Sequence, residues 1–553
     1  MNILIAIIIC ILVFFLVFIQ IVKRKNIKQI MNLKKEWGKS NTKYRNFDWI
    51  KNFSDINKDS FFHKLSSQTL NDVDFNELFA YIDRTTSKPG QQYLYYTLLR
   101  PTDNLKALLE FDEKIQFFLQ NEKDREDIQL ILLHLRDPDA YYISSLLEEN
   151  IYEKPAWAVW LKFDSIIVIS MLILCIKFSV LIVWLIIPFT INTILHLWNK
   201  SNTIKFIKSL TQLNILINVV KKIDVIYKTS TEISIESDLL KLQKFQRKFK
   251  SLGNNSSNIL SDVEQIVLFL WESVKALFLV EVYSFMNCMD ELKNKKEVIG
   301  RLYEYVGKID MAISTASLRK ENNGNFCKPH FIIDEKEIRI LNIHHPLIKN
   351  CVTNSINVRN ESILITGSNM SGKTTFIRTV AINSILAQTI YTTFAETFVT
   401  PILKVMTSIR ISDNLIEGKS YFFEELNSIQ YLINQSETSF QHLFILDEIF
   451  KGTNTVERIA AAKAVLTFLN KKGNFVLVST HDLELSEILK INYKLYHFEE
   501  EIVGETLSFD YKIKEGKLRT TNAIRLLEMV GYPSKIIIDA KEYLKEQFVI
   551  KYK

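Results

Sequence analysis

The apolar pattern along this 553-residue chain changes character several times. Ile3 to Ile19 is an unbroken apolar run that Gln20-Ile21-Val22 extends, and about 20 such residues span a bilayer core. From residue 26 to about 160, apolar positions recur at helical spacing with few breakers. Within that stretch LFAYIDRTTSKPGQQYLYYTLLRP (Leu78 to Pro101) keeps spacings of three and four on either side of a turn at Lys88-Pro89-Gly90. A second lipid-like block runs from Ser165 to Trp198, broken once, at Lys177. Residues 200 to 320 predict long, charged, amphipathic helices such as ISIESDLLKLQKFQRKFKSL, with one clear turn at Gly253-Asn254-Asn255-Ser256-Ser257. From about 330, short β-rich runs (SILIT, HLFILDE, NFVLVST) alternate with helical stretches. That alternation predicts an α/β domain with a largely parallel sheet.

Composition narrows this picture only a little. The length exceeds one core and predicts several domains. With 47% hydrophobic and 24% charged residues, the chain suits a globular protein with a few apolar insertions, not a polytopic transporter. The 14 Gly and 9 Pro favour long helices over an all-β chain. A net charge of +7 permits nucleic acid or anionic lipid as partner and demands neither. Cys10, Cys175, Cys288, Cys327 and Cys351 form no CxxC pair, so neither a disulfide framework nor a zinc site is expected.

The two apolar blocks predict membrane attachment. A signal peptide would need a charged n-region and a small-residue cleavage site, whereas Lys23-Arg24-Lys25 follows the first run. That basic flank predicts an anchor with residue 26 onward in the cytoplasm. A single span over 165–198 would put the rest of the chain, the α/β domain included, outside the cell. A hairpin with Lys177-Phe178-Ser179 at its far turn, or a re-entrant path, avoids this, and a buried pair of core helices is the alternative. The expected location is the cell membrane, multi-pass, with the α/β domain cytoplasmic.

Chemistry concentrates in the α/β part. Gly367 to Thr374 reads G-x-x-x-x-G-K-T between a predicted strand and helix, a P-loop. Its glycines let backbone N–H groups face a phosphate chain. Lys373 is expected at the β- and γ-phosphates, and the Thr374 hydroxyl on Mg²⁺. In LFILDE (Leu443 to Glu448), an apolar strand delivers Asp447 to the metal shell, and Glu448 is placed to orient the attacking water. His481, in NFVLVSTHD, follows a buried strand end where a side chain can sense the γ-phosphate.

Together these stretches resemble the MutS family ATPase. TGSNMSGKTTFIR is similar to its P-loop, which implies nucleotide contacts from Gly367, Ser368, Asn369, Met370, Ser371, Gly372, Lys373, Thr374 and Thr375. LDEIFKGTNT resembles its Walker B strand and following loop, and STHDLELSEI its switch-histidine segment. DNLIEGKSYFFEEL resembles the segment whose serine reaches the partner's nucleotide in a dimer, a role that falls on Ser420, with Glu425 at the family's acidic position. In FDYKIKEGKLRTTNAIRLLEMVGYP, Tyr511 stands where the family has a histidine near adenine. HHPLI (His344 to Ile348) resembles the entry to the ATPase domain, and the resemblance spans roughly 75 to 545.

Departures accompany the likeness. Ser371 replaces a family glycine, and Phe450-Lys451 replace Gly-Arg. Phe75-Asn76-Glu77 matches the family's mismatch-wedge tripeptide but abuts the core-start motif and reads as helix. Only about 50 residues separate the expected anchor from the core, so the two N-terminal mismatch-recognition domains are not expected.

The expected fold is mixed: an α-helical core and lever region with transmembrane helices, followed by an α/β P-loop NTPase domain of MutS type. The expected domains are an anchor (1–25), a helical core start (26–160), a transmembrane hairpin (161–199), lever helices (200–330), the ATPase domain (331–520) and a C-terminal helical dimerisation segment (521–553). The resemblance implies ATP and Mg²⁺ as cofactors, a homodimer through the ATPase domain, and mismatch-repair-like DNA binding, which the residues themselves leave undecided. An ABC-type transport ATPase would need an LSGGQ-like signature where this chain has EGKSYFFEEL. A nucleotide-dependent membrane scaffold without DNA binding is the other alternative.

Overall fold

The computed structural model describes residues 20–551 except 22, 41–43, 58–60, 149–160, 228–234, 250–278, 280–290, 323, 334, 369, 411–420, 472, 504–505, 519–523, 525–526 and 529. The chain forms two compact units. One comprises Met1–Ser60, Ile82–Thr97 and Glu113–Glu321; the other comprises Phe61–Tyr81, Leu98–Asp112 and Asn322–Lys553.

The first unit is helical and is organised on the 26-residue helix Lys296–Glu321, which is buried along most of its length. Gly307 gives that helix its close approach to Tyr93, since a Cβ there would lie 2.5 Å from the tyrosine's Cβ. Phe53 packs on Tyr303 with ring centroids 4.8 Å apart. Asp310, fully buried, accepts from Thr86 N (2.9 Å), Ser87 N (2.7 Å) and Ser87 Oγ (2.6 Å). Burial pushes its carboxyl up to about 6. The turn expected at Lys88-Pro89-Gly90 is instead the start of the helix Lys88–Leu98. Proline is tolerated in a first helical turn, where its missing N–H is no loss. Gly90 is needed because a Cβ would sit 2.1 Å from Asp310 Oδ2.

The expected transmembrane helices are corrected by the structure: among the described residues no helix is long and apolar enough to cross a membrane. The anchor expected at 1–25 lies mostly outside the described residues. The 165–198 block folds as the helix Leu161–Lys177, a 3₁₀ stretch Ser179–Leu185, and the start of the 41-residue helix Ile186–Ile226. At 1.5 Å per residue the first of these rises about 26 Å, short of the roughly 30 Å hydrocarbon core. The longer helix carries Lys200, Lys205 and Lys208 soon after its apolar start. Asn192 Nδ2 donates to Asp164 Oδ2 at 2.8 Å and ties the two helices together. The multi-pass membrane location expected from these spans falls with them.

The second unit holds the sheets. Its strands are β1 (His330–Phe331), β2 (Glu337–Ile343), β3 (Asn354–Arg359), β4 (Ser362–Thr366), β5 (Thr397–Thr400), β6 (Lys404–Ser408), β7 (His442–Asp447), β8 (Phe475–Thr480), β9 (Tyr493–His497), β10 (Glu500–Val503), β11 (Thr506–Phe509) and β12 (Lys514–Glu515). The six-stranded sheet runs β12-β9-β4-β8-β7-β6, parallel from β9 to β6 with β12 antiparallel at one edge. Its central strands β4 and β8 are buried at every position, the mark of a parallel sheet covered on both faces. A second sheet, β1-β5-β2-β3, is mostly antiparallel, and β10 and β11 form a hairpin.

The segments 61–81 and 98–112 belong to this unit. Asp72, fully buried at the end of the helix Ser67–Asp72, accepts from Thr407 Oγ1 (2.6 Å), Arg410 N (2.8 Å) and Ile409 N (3.0 Å), closing the end of β6. Asp74 pairs with Arg410 and with Arg378 on the helix Lys373–Ala387.

Candidate functional site

Strand β4 has β9 on one side and β8 on the other, and the loop at its carboxyl end opens over this switch in strand order. The register sets the neighbours: Thr366 lies opposite Thr480, and Asp447 opposite Ser479. The ends of β4, β7 and β8 therefore bring the phosphate-loop motif, Asp447-Glu448 and His481 together.

The loop from Gly367 wraps to the amino end of the helix Lys373–Ala387. A Cβ on Gly367 would lie 2.7 Å from the Phe498 carbonyl oxygen. Gly372, at φ +106°, takes the left-handed turn that starts the helix. Ser371 does not need glycine's freedom: it is buried, is not among the residues at positive φ, and donates from Oγ to Ser368 O at 2.8 Å. Lys373 Nζ folds onto the loop and donates to Gly367 O and Ser368 O, both at 2.8 Å. Burial lowers the Lys373 pKa, against the pull of Glu448 and Asp447. Ser368 Oγ donates to Glu500 Oε2 at 2.6 Å. Met370 is exposed at φ +70°, and Thr375 is exposed in the helix's first turn. Asn369 lies outside the described residues.

Thr374 Oγ1 donates to Asp447 Oδ2 at 2.7 Å, and Ser479 Oγ donates to Asp447 Oδ1. Glu448 sits at φ +49°, with its N–H on Ser479 O at 2.9 Å. Its Oε1 lies 2.5 Å from His481 Nε2, and its Oε2 2.8 Å from Lys451 Nζ. Burial works to raise its pKa, but the contacts from His481 and Lys451 prevail and hold it at about 2. Arg458 donates from Nε (2.9 Å) and Nη2 (2.7 Å) to the two oxygens of Asp482, and so fixes the segment carrying His481.

Glu425 is buried on the helix Tyr421–Ser436, and its Oε1 accepts from Phe450 N and Lys451 N. Burial raises its pKa. Tyr511 reaches the loop: a Cβ on Gly372 would lie 3.3 Å from Tyr511 Cδ1, and the ring stacks on Phe509 with centroids 5.9 Å apart. Ser420 lies outside the described residues.

The structure thus gathers Lys373, Thr374, Asp447, Glu448, His481 and Tyr511 at one loop. Sequence reasoning passed over Ser479, Arg458 and Glu500, and marked Lys451 only as a departure from the resembling family. Ser479 carries a signal, because it faces Asp447 one strand away in a stretch already marked as buried β. Glu500 carries none, because it comes from a hairpin without a motif.

A parallel sheet with a glycine-rich loop at its switch point, an acidic pair on the neighbouring strand and a histidine on the next is the arrangement of P-loop domains. Comparison with known proteins narrows the class. Residues 363–547 match the family model described as MutS domain V. The chain is 30% identical over 315 residues to the DNA mismatch repair protein MutS of Thermotoga maritima, covering 55% of this chain and 39% of that protein. It is 27% identical over 317 residues to the protein of that name from Lactobacillus johnsonii, covering 55% and 36%. Against that of Aquifex pyrophilus it is 30% identical over 277 residues, covering 48% and 32%. Residues 363–547 are thus similar to a MutS domain, and the chain as a whole is similar to MutS proteins over about half its length. The chain spans under two fifths of the length of these relatives.

Proposed function

We propose that the chain is a MutS-type ATPase that binds ATP at the loop Gly367–Thr375 and hydrolyses it. The observation that carries this reading is the 2.7 Å contact between Thr374 Oγ1 and Asp447 Oδ2, with Glu448 one residue further on. A hydroxyl and a carboxylate held together form the hard oxygen set that suits Mg²⁺, which would supply charge neutralisation for the phosphates. Lys373 leaves the Gly367 and Ser368 carbonyls and turns its ammonium to the β- and γ-phosphates. The loop's N–H groups and the positive end of the following helix bind the anion. Glu448 is ionised at neutral pH, and both its oxygens are engaged, so it exchanges a partner for the attacking water. His481, across from Oε1, holds the carboxylate in line for that exchange. Tyr511 offers a ring face to the base.

From the resemblance, Ser420 completes the site of a second copy, which makes the working unit a homodimer. Binding of mismatched DNA is proposed on the same resemblance, since the relatives are named DNA mismatch repair proteins. Nucleotide state would then be coupled to movement of the long helices.

Phosphate release from ATP tests the reading. Lys373→Ala should lose nucleotide binding, and Glu448→Ala should retain bound ATP without turning it over. Equal hydrolysis by Glu448→Ala and the unaltered chain would remove Glu448 from its role.

A further inference from the structure

The helical unit carries a cavity of about 590 Å³, within the roughly 300–1,000 Å³ typical of small-molecule sites. Its walls come from stretches far apart in the chain: Lys35 and Lys39 near the amino end, Arg84 and Lys88 around the start of the helix Lys88–Leu98, and Arg136. The lining is strongly cationic. Among the described residues Glu36 and Asp83 are its only carboxylates, against Lys35, Lys39, Arg45, Arg84, Lys88 and Arg136.

Internal pairing uses up part of this charge. Arg45 Nε lies 2.8 Å from Asp83 Oδ2, and Arg84 pairs with Glu321. Asp83 is further satisfied by Gln91 Nε2 at 2.6 Å and Thr85 Oγ1 at 2.6 Å, so it has little left to give the remaining cations. Lys35, Lys39 and Arg136 are exposed, and none of them is in an ion pair among the described residues. Cations gathered around a concave wall repel one another and focus a positive potential into it, which an anion relieves. The same wall carries hydroxyls at Ser40, Thr85 and Thr86 and an exposed ring at Tyr44, so it offers hydrogen bonds and a stacking face besides charge.

We propose that this cavity binds a phosphorylated small molecule of nucleotide size, with its phosphate held by Lys35, Lys39 and Arg136 and a ring against Tyr44. The concave wall, of a volume that suits a small molecule, favours a free ligand over a duplex, whose phosphates are met by a flat basic surface. The site is built entirely within the helical unit and does not depend on the ATPase reading.

The test is calorimetric titration of the full chain carrying Lys373→Ala, which silences the phosphate loop, with pyrophosphate and with AMP as separate probes. A saturable, salt-sensitive site for either probe is expected, weakened about tenfold by Lys39→Glu with Arg136→Glu. All three cations are exposed, so the melting temperature of each variant should match its parent, and Lys35→Gln gives a milder second variant. No binding of either probe at millimolar concentration, or binding indifferent to the charge reversals in folded protein, overturns the proposal. So does binding of a short DNA duplex alone that the same reversals abolish, because the surface would then read nucleic acid.

Discussion

His481 Nε2 lies 2.5 Å from Glu448 Oε1, while Lys451 Nζ holds the other carboxylate oxygen at 2.8 Å. Glu448 is thus clamped from both sides in a left-handed backbone turn. His481→Ala should release one side. Turnover should fall by about ten- to a hundredfold with ATP binding retained, read as kcat against nucleotide affinity. Unchanged kcat would remove His481 from the proposed site.

The same clamp has a signature in acid. Glu448 falls from the ordinary 4.5 to about 2 in the folded chain. A carboxylate depressed by folding stabilises the fold above its unfolded pKa and loses that contribution as pH drops through its folded one. Glu448→Gln should therefore melt below the parent at neutral pH, and the gap should close between pH about 4.5 and about 2. A gap that stays constant over this range would mean the carboxylate is not held by its two partners.

Phe450 stands at φ +63° and is almost fully buried. The loop geometry there suits the glycine that the resembling family carries. A left-handed non-glycine residue costs about 1–2 kcal/mol, whereas losing a buried phenylalanine costs about 3–5 kcal/mol. Packing wins, so Phe450→Gly should destabilise the α/β unit by about 2 kcal/mol despite relieving the backbone. Urea unfolding measures it, and a stabilised variant would show that the ring contributes little.

The legible parts of this protein were those whose chemistry is local in sequence. The phosphate loop, Asp447-Glu448 and His481 each end an apolar strand of their own, and strand order then brings them together. The membrane reading failed because hydropathy weighs a window without knowing where a helix stops. The helix ending at Lys177 is 17 residues long, and its partner runs on through Lys200 and Lys205. Lys88-Pro89-Gly90 misled for a related reason: both breakers fit a helix's first turn, and the need for Gly90 comes from Asp310, over 200 residues away. Periodicity likewise says nothing of the link from Asp72 to β6, because a buried carboxylate that caps a strand leaves no repeat.

That link makes a further prediction. Asp72→Ala would leave the buried Ile409 N–H and the partly buried Arg410 N–H without their acceptor. Each orphaned group costs about 1–3 kcal/mol, for a total near 3 kcal/mol. Asp72→Asn keeps one oxygen in place and should lose less. Equal losses in urea unfolding would mean the carboxylate's second oxygen is the one that matters.

The shared site gives the last prediction. If Ser420 acts on the nucleotide of a second copy, Ser420→Ala and Lys373→Ala chains should each be inactive alone. When they are mixed, a heterodimer contains one site with Lys373 from the first chain and Ser420 from the second, and one site lacking both. Random assortment makes about half of all dimers mixed, and each has one working site of two, so about a quarter of the parent activity should return. The recovery should depend on protein concentration, because dilution dissociates the dimer. Mixed dimers demonstrated by differential tagging, with no recovery of hydrolysis, would place Ser420 outside the partner's site and make each nucleotide pocket complete within its own chain.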